Sequence, residues 1–197
     1  ESERSIVVIE DAEKMNESAS NSLLKTLEEP NTGLFILITQ RPEKLLSTIR
    51  SRCQIVPFVR LNDNQVNNII KNLNVPQEVK DLSSEKIREL IAFSYGSPGR
   101  YLTNLQNWLD ITCGLRKKLE IKLSNHIDVL KLAKEITDEL DIEQQLWLIN
   151  FQQYKIWEKE NDSIMVKKLE DLRRQLLTYV QPRLAWELTL LEMNFNT

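Results

Sequence analysis

With 197 residues, 26 basic against 29 acidic side chains and a net charge of -3, the chain has no overall field that would draw it to nucleic acid. Hydrophobic residues make up 41% of it, enough for real cores, yet no run approaches the roughly 20 apolar residues that span a bilayer. Cys53 and Cys113 stand far apart, which excludes a disulfide framework or a paired-cysteine metal site and suits a reducing cytoplasm.

The first element is the β-branched run at residues 6–9, a pattern that predicts a strand buried on both faces, as in a parallel sheet covered by helices. Glu10 and Asp11 would sit at its carboxyl end. Asn16 can cap a helix beginning near Glu17, whose Ala19, Leu23, Leu24 and Leu27 share one face before Pro30 and Gly33 close the segment. Residues 35–39 read as a second buried strand, residues 43–47 as a short helix and residues 53–58 as a third strand ending near Pro57. This alternation predicts an α/β layer with parallel strands.

After Arg60 the strand signals stop, and the fold class becomes α/β followed by all-α. Asn62 with Gln65 has the spacing of a capping box ahead of Val66, Ile69, Ile70 and Leu73, and Ser83 can cap a helix carrying Ile87, Leu90 and Ile91. Gly96, Pro98 and Gly99 interrupt the chain before another helix. From about Trp108 onward the pattern predicts four or five longer helices, with starts at Ser124, Asp141, Asp162 and Pro182. Trp147, Phe151, Tyr154 and Trp157 form an aromatic stripe at helical spacing, read as core or helix-packing surface.

Three motifs carry possible chemistry. The first is Ile9-Glu10-Asp11-Ala12-Glu13-Lys14-Met15 at the end of the first strand. The second is Asn21-Ser22-Leu23-Leu24-Lys25-Thr26-Leu27-Glu28-Glu29-Pro30. The third is Thr48-Ile49-Arg50-Ser51-Arg52-Cys53-Gln54. No Gly-x-x-x-x-Gly-Lys-Ser/Thr loop occurs in these residues, so the backbone cradle and lysine that hold nucleotide phosphates are missing from them.

In order and spacing these motifs resemble the clamp-loader branch of the AAA+ ATPases. The first is similar to that family's Walker B stretch, residues 35–39 to its sensor 1 strand, Gly96-Ser97-Pro98-Gly99-Arg100 to its sensor 2 segment and Gln181-Pro182-Arg183-Leu184-Ala185-Trp186-Glu187 to part of its carboxyl-terminal collar. The resemblance implies a partial AAA+ P-loop-type parallel sheet over residues 1–58, a helical lid over 59–107 and a helical collar over 108–197. It also implies a subunit of the loader that places a sliding clamp on primed DNA for a bacterial replicative polymerase. Its partners would be gamma/tau-type and delta subunits in a hetero-oligomeric ring, the clamp, and DNA reached through the complex. No cofactor is expected in this chain, ATP and magnesium being bound by the neighbouring subunits.

The resemblance assigns roles residue by residue. Arg52 becomes an arginine finger that meets a neighbour's γ-phosphate, since a permanently charged, planar group on a rigid segment can act across a boundary. Alternatively, Arg52 pairs with an acid at a helix end. Glu10 and Asp11 occupy the Walker B positions with the usual Asp-then-Glu order reversed. The reversal displaces both carboxylates by roughly an ångström, which costs on the order of 100-fold in a positioned reaction, so the pair reads as inherited rather than catalytic. Thr39 at sensor 1 contacts phosphate or holds loop backbone, and Arg100 at sensor 2 senses nucleotide or holds the lid. His126 and the run Arg116-Lys117-Lys118 read as surface.

The rival within the family is an ATP-hydrolysing motor subunit; outside it, a helical adaptor built on an inactive remnant. In the family's sheet the strand leading into the P-loop lies between the sensor 1 strand and the last strand. The expectation is therefore either further chain upstream of residue 1 or a distorted or borrowed sheet, and not three adjacent, fully paired strands.

Overall fold

The computed structural model describes residues 5–28, 33–71, 79, 82–121, 123, 125–178 and 180–195, and the chain divides into two compact units, Glu1–Val59 and Arg60–Thr197. In the first unit, β1 (Ile6–Ile9) and β2 (Leu34–Leu37) pair in parallel, with Ile6 opposite Leu34 and Ile9 opposite Leu37. Their connection carries α1 (Glu17–Glu28), giving a β-α-β unit. The Asn16 side chain accepts a hydrogen bond from the Ala19 backbone N–H at 2.8 Å, the helix start expected from sequence. The buried residues described in this unit are Ala12, Ser20, Leu23 and Ile49.

Three expectations for this unit are corrected. Residues 54–59 form no strand, and the sheet has two strands among the described residues. An apolar run becomes a strand only when a neighbour accepts and donates its ladder hydrogen bonds, and none of the described strands does so; Phe58 is left 95% exposed. This is in keeping with the expectation that residues 1–58 alone do not make three paired strands. β1 is also not buried on both faces: Ile6, Val7 and Val8 are exposed, because a two-stranded ribbon with one crossover helix has too few layers to cover them. The helix expected over residues 43–47 is two separate turns. A 3-10 turn at Pro42–Lys44 and the single turn α2 (Ser47–Arg50) are split by extended backbone at Leu45 and Leu46.

The second unit holds α3 (Asp63–Lys71), α4 (Ser84–Phe93), α5 (Pro98–Asp110), α6 (Cys113–Leu119), α7 (His126–Glu139), α8 (Ile142–Glu160), α9 (Ser163–Leu176) and α10 (Pro182–Phe195). Polar side chains set most of their starts. Asn62 and Gln65 bond each other's backbone N–H groups at 2.9 and 3.0 Å, Ser83 caps α4, and Asp141 with Gln144 forms a second capping box before α8. Asp162 caps α9, whereas α7 is capped by Asn125; the expected start at Ser124 and the expected helical position Leu73 lie outside the described residues.

One core runs through α3 to α10. Phe151 of α8 is fully buried and packs against Phe93 of α4 and Trp108 of α5 at ring distances of 5.3 and 5.6 Å. Trp147 and Tyr154 pack on the same core, while Trp157 at the end of the stripe is exposed. The position expected for a lid–collar boundary, residue 107, falls inside α5, and helices on both sides share this core. Gly96 is required where it stands. It has φ +77°, and a Cβ there would come within 2.2 Å of the Leu61 carbonyl oxygen, whose own backbone N–H donates to Gly96 at 3.2 Å.

Candidate functional site

The carboxyl ends of β1 and β2 are stitched together by backbone. Ile38 N–H donates to Ile9 O at 2.9 Å, and Ala12 N–H returns to Ile38 O at 3.0 Å, which draws the chain after β1 across the end of β2. Ala12 is thereby buried, and Asp11 is left in the left-handed region at φ 49°. Asp is one of the few side chains that tolerate this conformation, which gives a structural reason for the shorter acid at this position.

This end of the unit satisfies its own polar groups. The Asp11 carboxylate accepts from Lys14 Nζ at 2.7 Å, and the bond raises the lysine pKa. Thr39 Oγ1 donates to Glu13 Oε2 at 2.6 Å and accepts from the Arg41 backbone N–H at 3.0 Å. The hydrogen bond from Thr39, with help from backbone donors, holds the Glu13 pKa below its ordinary value. Glu10 is exposed. The structure thus brings Glu10, Asp11 and Thr39 to one end of the sheet, as their strand-end positions imply, and gives Asp11 and Thr39 partners within the chain.

Arg52 lies elsewhere in the unit. It follows α2, which packs on α1 through the region of the fully buried Ile49. Its Nη2 donates to Glu28 Oε1 at 2.7 Å and its Nη1 to the Thr48 carbonyl at 3.1 Å; Ser51 Oγ donates to the same carbonyl at 2.9 Å. Glu28 is the last residue of α1, so Arg52 also stands where a cation meets the negative end of the helix dipole. α1 begins just after the Asp11 turn and ends at Glu28, and a helix spanning Glu17–Glu28 separates its ends by about 17 Å. Arg52 is therefore held at the far end of α1 from Glu10 and Asp11.

Arg100 belongs to the second unit, at the start of α5, where its guanidinium lies over the Tyr95 ring at 5.4 Å. The exposed His126 stacks on Phe195 at 3.9 Å, and Lys118 pairs with Glu135, so both surface readings acquire a specific partner. No group of three or more His, Cys, Asp or Glu residues among those described could hold a metal ion, and no helix among them is long and apolar enough to cross a membrane.

The order of strand-end acids, α1 and the Arg52 turn can be compared with known proteins. Residues 64–193 match the family model for the cyanobacterial DNA polymerase III delta prime C-terminal domain, and residues 1–62 match that for the DNA polymerase III delta subunit. The chain belongs to the delta-prime family of DNA polymerase III subunits. A delta-prime subunit of Bacillus subtilis is 51% identical over 59 residues, covering 29% of this chain and 18% of that protein. One from Yersinia pestis is 30% identical over 151 residues, covering 73% and 42%. Replication factor C subunit 4 of Schizosaccharomyces pombe is 29% identical over 103 residues, covering 52% and 30%. The chain thus spans less than half the length of these family relatives.

One of the two readings of Arg52, pairing with an acid at a helix end, is what the structure shows; the sequence does not say which acid, because the pairing with Glu28 depends on how α2 folds back. Two further partners are not legible in the sequence. Glu13, two residues beyond the Walker B-like acids, was overlooked as the acceptor for Thr39. Lys86 in the second unit is only 7% exposed, and its Nζ reaches Glu89 and Glu120 at 2.8 Å while lying 4.3 Å from the Trp108 ring centroid. The Lys86–Glu89 spacing signalled a helical pair but not its burial.

Proposed function

We propose that the chain acts as a non-hydrolysing subunit of a clamp loader and supplies Arg52 in trans to the ATPase site of a neighbouring gamma/tau-type subunit. The observation that carries this reading is the separation of the two motifs along α1: the strand-end acids lie at one end, and Arg52 is held at the other. One nucleotide could not engage both within this unit. The residues that would face a local nucleotide fit it poorly as well. The Asp11 carboxylate accepts from an ammonium and the Thr39 hydroxyl donates to a carboxylate, so a magnesium–phosphate group would have to compete with partners already within the chain. This disfavours the motor-subunit reading.

In this reading the chain needs no cofactor of its own, because ATP and magnesium reside in neighbouring subunits. Arg52 supplies positive charge where negative charge develops on the transferred phosphoryl group. Residues 59–107 serve as the lid, where Arg100 acts on lid position, and residues 108–197 serve as the collar. Exposed Leu184 and Leu188 of α10, with Ile127 and Leu130 of α7, offer apolar surface for delta and gamma/tau partners in a hetero-oligomeric ring. The sliding clamp and primed DNA are engaged by the assembled ring, in the cytoplasm.

The test is to reconstitute the loader with the subunit carrying Arg52→Ala and to measure ATPase activity stimulated by clamp and DNA. Loss of a trans arginine costs about 10³-fold or more at the site it serves. The expected result is a large fall in activity with the ring still assembled, as judged by size-exclusion chromatography. Unchanged activity would overturn the reading.

A further inference from the structure

Arg52 is not free in this chain. Both of its terminal nitrogens are engaged, Nη2 by Glu28 at 2.7 Å and Nη1 by the Thr48 carbonyl at 3.1 Å. A planar guanidinium grips a phosphate through two parallel N–H donors, and the edge formed by Nη1 and Nη2 is one such pair. Here that edge is turned onto the chain's own α1–α2 junction. The pair is open to solvent, with side chains 39% and 48% exposed, so it can exchange quickly and is sensitive to salt.

We propose that Glu28 is a positioning residue that withholds Arg52 from a neighbouring subunit until the ring closes. The proposal rests on the reading of Arg52 as a trans arginine finger. The carboxylate of Glu28 and the incoming γ-phosphate compete for the same guanidinium. Closing the interface brings up the more highly charged phosphate and shifts the equilibrium. Before closure, the competent fraction of Arg52 is reduced by the strength of its pairing with Glu28, and the apparent affinity for the phosphate falls by that fraction. Release costs little because the pair is exposed, so the device tunes resting activity without blocking the stimulated state.

An exposed ion pair shifts such an equilibrium by roughly 1.5-fold to fivefold. In a reconstituted loader without clamp or DNA, Glu28→Gln is therefore expected to raise kcat/KM for ATP by about that factor at low salt. Wild type and variant should converge as salt rises through about 0.5 M, because screening releases Arg52 in both. A residue that merely stabilised the fold would give no such convergence. In parallel, side-chain NMR of Arg52 in this chain should detect faster guanidinium rotation in Glu28→Gln than in wild type.

Arg52→Ala is measured beside it. If Arg52→Ala lowers activity and Glu28→Gln matches wild type at every salt concentration, the withholding role is overturned and the finger stands. If Glu28→Gln lowers kcat instead, Glu28 presents Arg52 and the proposal is again overturned. If Arg52→Ala has no effect, the finger fails and the role of Glu28 fails with it.

Discussion

The two units of this chain use apolar residues in opposite ways. In the helical unit, side chains from α3 to α10 close over one another, and aromatic rings from α4, α5 and α8 meet at 5.3 to 5.6 Å. In the sheet unit, Ile6, Val8, Leu34, Ile36, Ile55 and Phe58 are all exposed, although their residue types are those of a buried sheet. The helical unit buries most of its apolar pattern within itself, with Ile127, Leu184 and Leu188 among the residues it leaves exposed, whereas the described part of the sheet unit buries only Ala12, Leu23 and Ile49 of its apolar side chains. The same division holds for charge: Lys86 is locked inside a network, and Arg52 sits on an exposed, exchangeable pair.

The comparison predicts where stability resides. Phe151→Ala removes a fully buried ring from the aromatic cluster, and losses of this kind cost about 3–5 kcal/mol. All four tryptophans lie between Trp108 and Trp186, so urea unfolding followed by tryptophan fluorescence reads the helical unit alone. The expected result is a markedly lower midpoint with an unchanged slope. A loss below about 1 kcal/mol would mean that the core is not continuous across α4, α5 and α8.

Much of the helical unit was legible because its signals are local. Asn62 with Gln65, Ser83, Asp141, Asp162 and Pro182 each start a helix through bonds or dihedral limits within four residues, and all five mark the observed starts. The sheet unit was less legible because a strand is a relation between segments. Residues 53–58 have the composition of a strand, but composition cannot supply a neighbour. Motif order pointed to Glu10, Asp11 and Thr39, which the structure brings to one end of the sheet, and to Arg52, which it holds elsewhere in the unit. The acids that hold Thr39 and Arg52, 26 and 24 residues away in sequence, emerge only once the turns are folded.

A smaller effect follows from the charge network between α4 and α8. Burial disfavours the ionised form of Glu89, but hydrogen bonds from Lys159 and Lys86 outweigh this and hold its pKa below the ordinary 4.5. Above that value Glu89 is ionised in both folded and unfolded chains, and its contribution to stability is fully present. As pH falls below 4.5 and through the lowered folded value, the unfolded chain takes up the proton first, and the contribution is lost. Wild-type chain should therefore lose stability to urea across this acidic window more steeply than Glu89→Gln. Parallel pH profiles for the two would show that the network does not couple α4 to α8 through this carboxylate.

The smallest effect is expected at Phe58, and it tests the other half of the comparison. A phenylalanine that is 95% exposed has little burial to lose, so Phe58→Ser should change stability by less than about 0.5 kcal/mol. Fluorescence is blind to this unit, so the measurement is amide exchange at Leu34 and Ile38, whose N–H groups bond Ser5 O and Ile9 O across the two strands. If Phe58 instead folded back over the sheet in solution, its loss would cost about 1.5–3 kcal/mol and speed exchange at both amides in proportion. Unchanged exchange in the variant would mean that residues 54–59 are held by nothing in this unit, leaving their apolar side chains available to a surface that the unit does not provide.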